Sequence, residues 1–263
     1  MQPSNKYRIK VLDKTLKILD LFNEKGKELT VTEINGLLSF NKASTFRIIK
    51  NLEEAGYLEK DPDTLKYRLG LRIYYLGSLA EPHGEIRRMA RPFLDKLNEA
   101  CGETVHLAVL HHGQALYLDK IEGKRTIRVI TRIGMKLPAH CSGVGKVLLA
   151  NLKEETLEGI ITEKGLPRLT DNTITDLTAL KAELAQIRKQ GYAVDCEEIE
   201  EGLKCAASPL RNSNGEFVAA ISISVPKERF DKEISGFVSK VKKTAQEISA
   251  LMGQKAKTSH TRL

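Results

Sequence analysis

The stretch KASTFRIIKNLEEAGYL, residues 42–58, decides the fold of the first third of this sequence. Its apolar side chains Phe46, Ile49 and Leu52 recur at three-residue steps, which places them on one face of a helix. The helix is expected to stop at Gly56, because glycine tolerates the left-handed backbone conformation that ends many helices. The stretch therefore predicts an amphipathic helix.

Two further helices are predicted before this one. Thr30 and Glu33 have the spacing of a capping box, so a short helix is expected to begin there and to end near Leu38. Residues 11–22 carry apolar side chains at three- and four-residue steps and predict the first helix. The apolar face predicted for that helix contains Val11, Leu12, Leu16, Leu19 and Phe22, with Ile18 beside them.

A hairpin is predicted directly behind the third helix. Residues 57–59 and 67–69 form two short strand-like runs, and an Asp-Pro-Asp turn at residues 61–63 separates them. Three helices followed by a hairpin predict a winged helix-turn-helix, whose third helix enters the major groove of DNA. Seven residues are candidate DNA contacts, namely Lys42, Ser44, Thr45, Arg47 and Lys50 on the helix and Lys66 and Arg68 on the wing. An ordinary solvated helix face is the alternative.

The bulk composition limits the classes of protein to consider. A chain of 263 residues favours two domains, and a formal net charge of +8 favours a polyanionic partner, with DNA as one candidate. No run of about 18 apolar residues occurs and the first residues lack a secretion signal, so we expect a cytoplasmic protein that does not cross a membrane. The four widely spaced cysteines are expected to be reduced thiols.

A connecting helix is predicted between the two domains. The run LGLRIYYLGSLA, residues 69–80, has leucine and isoleucine at helical spacing before Pro82. This apolar content fits a self-association surface, since two half-sites on duplex DNA require a symmetric dimer. Packing against the neighbouring domain explains it equally well.

The remaining two thirds predict an α+β domain with a mainly antiparallel sheet. Strands are expected in a hairpin that turns at His112-Gly113, in TIRVITRI (126–133), and on both sides of an Asn214-Gly215 turn. Helices are expected at residues 85–100, 143–151, 154–162, 176–191 and 227–252.

The segment PAHCSGVGKVLLA, residues 138–150, carries the most distinctive chemistry of this domain. Its GVGKV portion, residues 143–147, is too short for a phosphate-binding loop of the Walker type and lacks the hydroxyl that follows the lysine there. Cys141 adjoins His140, which sends the two side chains to opposite faces of an extended chain and argues against a catalytic thiol, although His106 can still approach through the fold. The glycines leave backbone N–H groups open at a helix N-terminus, where a carboxylate or phosphate binds well. Close helix packing is the alternative reason for the glycines.

Four motifs together resemble the IclR family of transcriptional regulators over nearly the whole chain. They are KASTFRIIKNLEEAGYL, CSGVGKVLLA (141–150), DCEEIEEGLKCAASPLR (195–211) and GEFVAAISISVPKERF (215–230). The resemblance implies a winged helix-turn-helix, a GAF-like effector domain, dimers or tetramers on an operator, and control by a small molecule. The segments at 132–150 and 197–207 look most like regulators that respond to 2-keto-3-deoxygluconate and related sugar acids. Ala43 departs from the serine common in the family, which removes one contact from the expected DNA interface.

The resemblance also implies an effector site. Carried over by motif, the site residues are Gly143, Val144, Asp195, Cys205, Ser222 and Ser224, with Leu137 and Leu203 as apolar walls. Strand alternation agrees with this assignment, because Ser222 and Ser224 are two residues apart and leave the same face of a strand. The ligand types of Cys141, Cys205, His106 or His140, and Asp195 leave a zinc site as a further alternative, although no metal-binding spacing supports it.

The sequence therefore predicts a regulator without enzymatic activity, bound metal or cofactor. The expected domains are a DNA-binding domain at 8–70, a linker helix at 71–83, an effector domain at 84–254 and a basic flexible tail at 255–263. Its expected partners are double-stranded operator DNA, a small carboxylate or sugar acid such as a keto-deoxy sugar acid, and further copies of the same chain. The rival hypothesis is a metal-binding or small-molecule enzyme with a helical protein-interaction head.

Overall fold

A computed structural model describes residues 9–24, 28–79, 83–125 and 129–259. The chain divides into two compact units, Met1–Pro82 and His83–Leu263. No helix within the described ranges is both long enough and apolar enough to span a bilayer.

The first unit contains the predicted three helices and hairpin. Its elements are α1 (Lys10–Glu24), α2 (Val31–Leu38), α3 (Lys42–Glu54), β1 (Leu58–Lys60), β2 (Tyr67–Leu69) and α4 (Leu71–Leu79). The predicted capping box is present, since the Thr30 hydroxyl accepts from the Glu33 N–H while the Glu33 carboxylate accepts from the Thr30 N–H. The two strands pair antiparallel, with Leu58 opposite Leu69.

The buried faces of the first unit differ from the predicted ones. On α3 the buried residues are Thr45, Ile48, Ile49 and Leu52. Their spacing of three and four residues turns Phe46 outward, where it is 50% exposed, so its predicted place on the buried face is wrong. On α1 the core is built from Ile18, Leu21 and Phe22, whereas the predicted members Val11, Leu12 and Leu16 are exposed. The apolar first turns of α1 therefore face away from the core of this unit.

Helix α4 has no buried residue. Leu71, Tyr74 and Leu79 are among its largely exposed side chains, and Tyr74 is 77% exposed. A helix this apolar is unusual on a free surface, where large contiguous apolar patches mark interaction sites. The apolar helix predicted at this position is therefore present, and its apolar face is exposed.

The second unit is built around one six-stranded sheet. Its elements are α5 (Gly84–Cys101), β3 (Thr104–His111), β4 (Gln114–Ile121), β5 (Lys136–Pro138), α6 (Gly143–Leu149), α7 (Glu154–Lys164), α8 (Leu177–Gln190), β6 (Ala193–Cys196), β7 (Leu203–Arg211), β8 (Phe217–Pro226) and α9 (Lys227–Ser259). The strand order is β5-β4-β3-β8-β7-β6, and every neighbouring pair is antiparallel. The predicted α+β class is confirmed.

The sheet separates two apolar cores. Helices α5 and α9 cover one face, where Leu94 and Phe230 pack against β-strand residues such as Val105. Helices α6 and α8 cover the other face, where Val147 and Leu184 belong to the second core. Because successive strand residues point to opposite faces, alternate residues of each strand enter alternate cores.

Two predicted elements of this unit need correction, and two of its strands are not predicted. The described part of TIRVITRI, residues 129–133, is not a strand. The carbonyl oxygens of Val129 and Thr131 accept from the ammonium group of Lys120 rather than from a neighbouring strand. Residues 126–128 lie outside the described residues. The short strands β5 and β6 form the edges of the sheet, and no sequence pattern predicted them. Helix α9 continues past Met252 to Ser259, and the last four residues of the predicted tail lie outside the described residues.

Candidate functional site

The candidate nucleic-acid surface is the N-terminal half of α3. Asn41 caps this helix, and its side-chain oxygen accepts from the N–H groups of Ala43 at 3.1 Å and Ser44 at 3.2 Å. Lys42 and Arg47 are exposed, while Ser44 is half-buried. The cap occupies two of the first-turn N–H groups, so the exposed side chains of Lys42 and Arg47 are the groups that suit an anionic partner.

Thr45 is not part of this surface. It is fully buried, and its hydroxyl lies 3.1 Å from the side-chain oxygen of Asn35 and 3.2 Å from the carbonyl of Asn41. These bonds join α2 to α3, so Thr45 fixes the angle between the helices and cannot reach a base edge. The prediction that Thr45 contacts DNA is wrong.

Three of the remaining candidates are already engaged with acidic residues. Lys50 forms an ion pair with Glu53 at 2.8 Å, and Arg68 pairs with Glu59 at 3.3 Å. Lys66 is half-buried and interacts electrostatically with the Glu33 carboxylate. Surface pairs of this kind are weak and can exchange for phosphates. The DNA-contact assignment stays a prediction for Lys42, Ser44, Arg47, Lys50, Lys66 and Arg68.

The candidate ligand site is a cavity of about 100 Å³ in the second unit. All eight residues assigned to the effector site line it: Leu137, Gly143, Val144, Asp195, Leu203, Cys205, Ser222 and Ser224. The cavity also includes residues that the sequence argument missed, among them Tyr117, Met135, Ser142, Ile199 and the segment 129–131. The structure therefore brings together five strands and one helix that are distant in sequence.

The floor of the cavity is a polar row that crosses the sheet. The strand register places Asp195 opposite Cys205, Cys205 opposite Ser224, and Ser222 opposite His106. The Ser224 hydroxyl lies 3.1 Å from the Cys205 sulfur and 3.3 Å from the His106 Nδ1 atom. Within the described residues the Ser222 hydroxyl has no hydrogen-bond partner, although its residue is only 2% exposed.

Helix α6 begins at the cavity. The Ser142 hydroxyl accepts from the Gly145 N–H at 3.2 Å and donates to the Pro138 carbonyl at 3.1 Å, which fixes the turn. A methyl group on Gly145 would lie 2.3 Å from the Ala139 carbonyl oxygen, so this glycine serves close packing. Gly143 instead lies over β6 and β7, where an added Cβ would be 3.3 Å from the Ala207 Cβ. Close packing therefore accounts for both glycines, and ligand binding by the Gly143 backbone stays a prediction.

A buried charge cluster borders the cavity. The Lys146 ammonium is 2.5 Å from Glu198, 2.8 Å from the Val194 carbonyl and 3.1 Å from Glu183. Asp195 accepts from the Glu198 N–H at 2.8 Å. Burial raises the pKa of Asp195 to about 7, and the nearby Glu198 charge adds to this effect. Near neutral pH the Asp195 side chain therefore holds a proton far more readily than an exposed aspartate does.

His106 is fully buried beneath the cavity. Its Nε2 atom lies 2.7 Å from the Thr131 hydroxyl, and its ring stacks on Tyr117 with 4.6 Å between centroids. Burial, together with the positive charge of Lys120, lowers the pKa of His106 to about 3. The imidazole is neutral at physiological pH, with one nitrogen as donor and the other as acceptor.

The metal and thiol-enzyme alternatives find little support in this geometry. Among the described residues no three His, Cys, Asp or Glu side chains lie close enough to hold a metal ion. The Nε2 atom of His140 is 3.1 Å from the Pro167 carbonyl, and burial raises the pKa of Cys141 to about 12. A thiol in this state is a poor nucleophile.

A helix-turn-helix domain, combined with a second domain that contains a small cavity with apolar walls and a few polar groups, is the architecture of a ligand-controlled type of transcription regulator. Comparison with known proteins agrees. The model of the IclR helix-turn-helix domain matches residues 11–62, and that of the bacterial transcriptional regulator IclR C-terminal domain matches residues 80–250. The chain belongs to the IclR family of transcriptional regulators.

Relatives and solved structures match over nearly full length. The HTH-type transcriptional regulator XynR of Escherichia coli is 35% identical over 249 residues, which are 94% of this chain and 99% of XynR. The E. coli transcriptional repressor AllR is 35% identical over 93% of this chain and 91% of AllR. The crystal structure of an IclR homologue from Microbacterium hydrocarbonoxydans, complexed with 4-hydroxybenzoate, is 27% identical in sequence and has a TM-score of 0.81. The match covers 91% of this chain and 98% of the homologue's chain. The more specific likeness to 2-keto-3-deoxygluconate regulators stays a prediction.

Proposed function

We propose that this protein is a sequence-specific repressor whose operator binding is controlled by a small organic acid. The observation that carries the proposal is the cavity of the second unit, which is lined by every residue assigned to the effector site. Its Ser222 side chain lines the cavity, and the Ser222 hydroxyl forms no hydrogen bond with the other described residues. Hydroxyls in the interior are normally hydrogen-bonded, so this atom is available to a bound ligand. The repressor AllR and the 4-hydroxybenzoate complex of the Microbacterium homologue are consistent with both halves of the proposal.

A carboxylate is the ligand chemistry that fits the cavity best. The first-turn N–H groups of Gly143 and Val144 precede the hydrogen-bond ladder of α6 and can serve a carboxylate. Leu137 and Leu203 supply apolar walls, and Ser222 supplies a hydroxyl for an oxygen-rich ligand, next to Ser224. A keto-deoxy sugar acid combines all of these features.

The DNA-binding half of the proposal rests on the first unit. Lys42, Ser44, Arg47 and Lys50 are the proposed contacts of α3, with Lys66 and Arg68 on the wing. We keep the division into a DNA-binding domain at 8–70, a linker helix at 71–83, an effector domain at 84–254 and a tail at 255–263. The exposed apolar faces of α1 and α4 support a homodimer or homotetramer, and a regulator of chromosomal genes acts in the cytoplasm.

The first test is a thermal-shift screen of the full chain against keto, hydroxy and sugar acids. A ligand that binds only the folded state raises the melting temperature in proportion to the logarithm of its concentration. The same acid is then added to a complex with a DNA duplex selected from genomic fragments. We expect it to release the duplex, and we expect DNA affinity in its absence to fall steeply with salt.

Matched variants separate the two domains. Ser222→Ala is expected to weaken the response to the acid without changing affinity for the duplex. Ser239→Ala changes an exposed serine of α9 and is the control, for which neither property should change. Equal loss of acid response and duplex affinity in Ser222→Ala would contradict the proposal, as would a protein that binds no acid.

A further inference from the structure

The cavity contains a second hydroxyl that the effector assignment does not use. Tyr117 lies on β4, is 5% exposed and lines the cavity. Within the described part of the chain its phenol oxygen forms no hydrogen bond. Burial raises the pKa of Tyr117, and the nearby Cys205 and Asp195 raise it further, so the hydroxyl remains a proton donor. A donor on a residue that lines a cavity, with no partner among the described residues, is available to an acceptor on a ligand.

The position of this phenol is held by His106. The two rings are stacked with an interplanar angle of 28°. The imidazole is fixed at both nitrogens, because Nε2 contacts the Thr131 hydroxyl and Nδ1 contacts the Ser224 hydroxyl. A ring with both nitrogens engaged cannot turn freely, and the tyrosine packed on it keeps one orientation.

The Ser224 hydroxyl is already committed to this network. It contacts the Cys205 sulfur on one side and the His106 Nδ1 atom on the other. A hydroxyl has only one hydrogen to donate, so bonds to both neighbours occupy it. Ser224 therefore orients His106, whereas Tyr117 and Ser222 present the unoccupied hydroxyls of the floor.

Tyr117 and Gly143 approach the cavity from different elements. Gly143 packs over β6 and β7, where an added Cβ would be 3.5 Å from the Cys205 Cβ and 3.7 Å from the Asp195 Cβ. Tyr117 is on β4, and the strand order places β3 and β8 between β4 and β7. At a strand spacing of about 4.8 Å, the backbones of β4 and β7 are about 14 Å apart, and the Tyr117 side chain comes close enough to Cys205 and Asp195 for both to raise its pKa.

We propose that Tyr117 selects the effector by donating a hydrogen bond to an oxygen function of the ligand other than its carboxylate, and that His106 positions the phenol for this contact. The ligand class is then a hydroxy or keto acid rather than a simple hydrocarbon acid. A site that hydrogen-bonds a ligand hydroxyl discriminates against analogues that lack it, because the protein group is then left unpaired. This inference rests on the proposed function, since it requires that the cavity binds an organic acid.

The test compares matched acids by isothermal titration calorimetry on the full chain. The pairs are 4-hydroxybenzoate with benzoate, 4-hydroxybutanoate with butanoate, and 2-keto-3-deoxygluconate with hexanoate. We expect the wild-type protein to prefer the oxygenated member of at least one pair. Tyr117→Phe keeps the ring stack and should weaken binding of that oxygenated acid about 5- to 10-fold, with less than a 2-fold change for its partner. Tyr192→Phe makes the same change outside the cavity and is the control.

A second variant tests the positioning residue. His106→Phe retains an aromatic ring against Tyr117 but loses both hydrogen bonds, so the preference for the oxygenated acid should fall while binding of the hydrocarbon acid persists. The inference is overturned if Tyr117→Phe weakens both members of a pair equally or changes neither. Equal affinity of the wild-type protein for both members of every pair also overturns it, whereas a wild-type protein that binds no acid refutes the proposed function itself.

Discussion

Replacing Asp195 by asparagine should stabilise the protein, and the gain should grow with pH. In the folded protein burial raises the pKa of Asp195 to about 7, against an ordinary value of 3.8. Between these two values the folded state holds a proton that the unfolded state has released. The stability supplied by the neutral acid is therefore complete below pH 3.8 and is lost as the pH rises through 7.

The magnitude follows from the pKa difference. A pKa difference of about 3 corresponds to a change of about 4 kcal/mol in the free energy of unfolding. About 3 kcal/mol of this change falls between pH 5 and pH 8. Asparagine mimics the neutral acid at every pH, and its side-chain oxygen can still accept from the Glu198 N–H. The free energy of unfolding of the variant, relative to that of the wild-type protein, should therefore rise by about 3 kcal/mol between pH 5 and pH 8.

The assay is urea denaturation of both proteins at pH 5, 6, 7 and 8, followed by far-ultraviolet circular dichroism. Asp171→Asn, at a fully exposed carboxylate in the same unit, is the control and should show no comparable trend. If Asp195→Asn loses stability, and loses more at pH 8 than at pH 5, then the wild-type carboxylate is ionised and stabilised in the fold. That result would refute the reasoning.

Two further substitutions test packing contacts. Gly145→Ala should destabilise the protein by about 1–3 kcal/mol, because the new methyl group meets the Ala139 carbonyl. Gly159→Ala, with open space around it, should instead stabilise α7 by about 0.5–1 kcal/mol. Thermal denaturation of both variants checks this, and a stable Gly145→Ala protein would argue against the close approach. Thr45→Val should cost about 1–3 kcal/mol by leaving the Asn35 side chain without its partner. Arg47→Ala should instead weaken binding to the selected duplex, measured by fluorescence anisotropy, at an unchanged free energy of unfolding, measured by urea denaturation. If Thr45→Val resembles Arg47→Ala in both measurements, Thr45 contacts DNA after all.

The DNA-binding head could be predicted almost completely from local signals. The capping box at Thr30 and the glycine at position 56 act over a few residues, and both occur in the structure as expected. The error at Thr45 was avoidable, because it lies three and four residues before Ile48 and Ile49 and so shares their buried face.

The cavity could be predicted only in part. Its predicted residues came from motif resemblance, and the structure gathers all of them around one space. Tyr117 was missed because alternation along β4 separates two faces without telling which face borders a cavity. A register shift between Leu107 and Ala108 places Tyr117 opposite Ala108 and Asp119 opposite Leu107, so the two strands do not run in simple step. Such a bulge depends on the partner strand and leaves no mark in the tyrosine's own segment.

The buried Lys146 also bears on how this family can diverge. One ammonium group serves α6, β6, α8 and the segment around Glu198, and the second oxygen of Glu198 has no partner within the described residues. Losing the lysine alone leaves the buried Glu198 carboxylate without its cation, which costs more than losing both side chains together, whereas loss of Glu198 leaves Lys146 paired with Glu183. Lineages that replace Lys146 with an apolar residue should thus have replaced Glu198 as well.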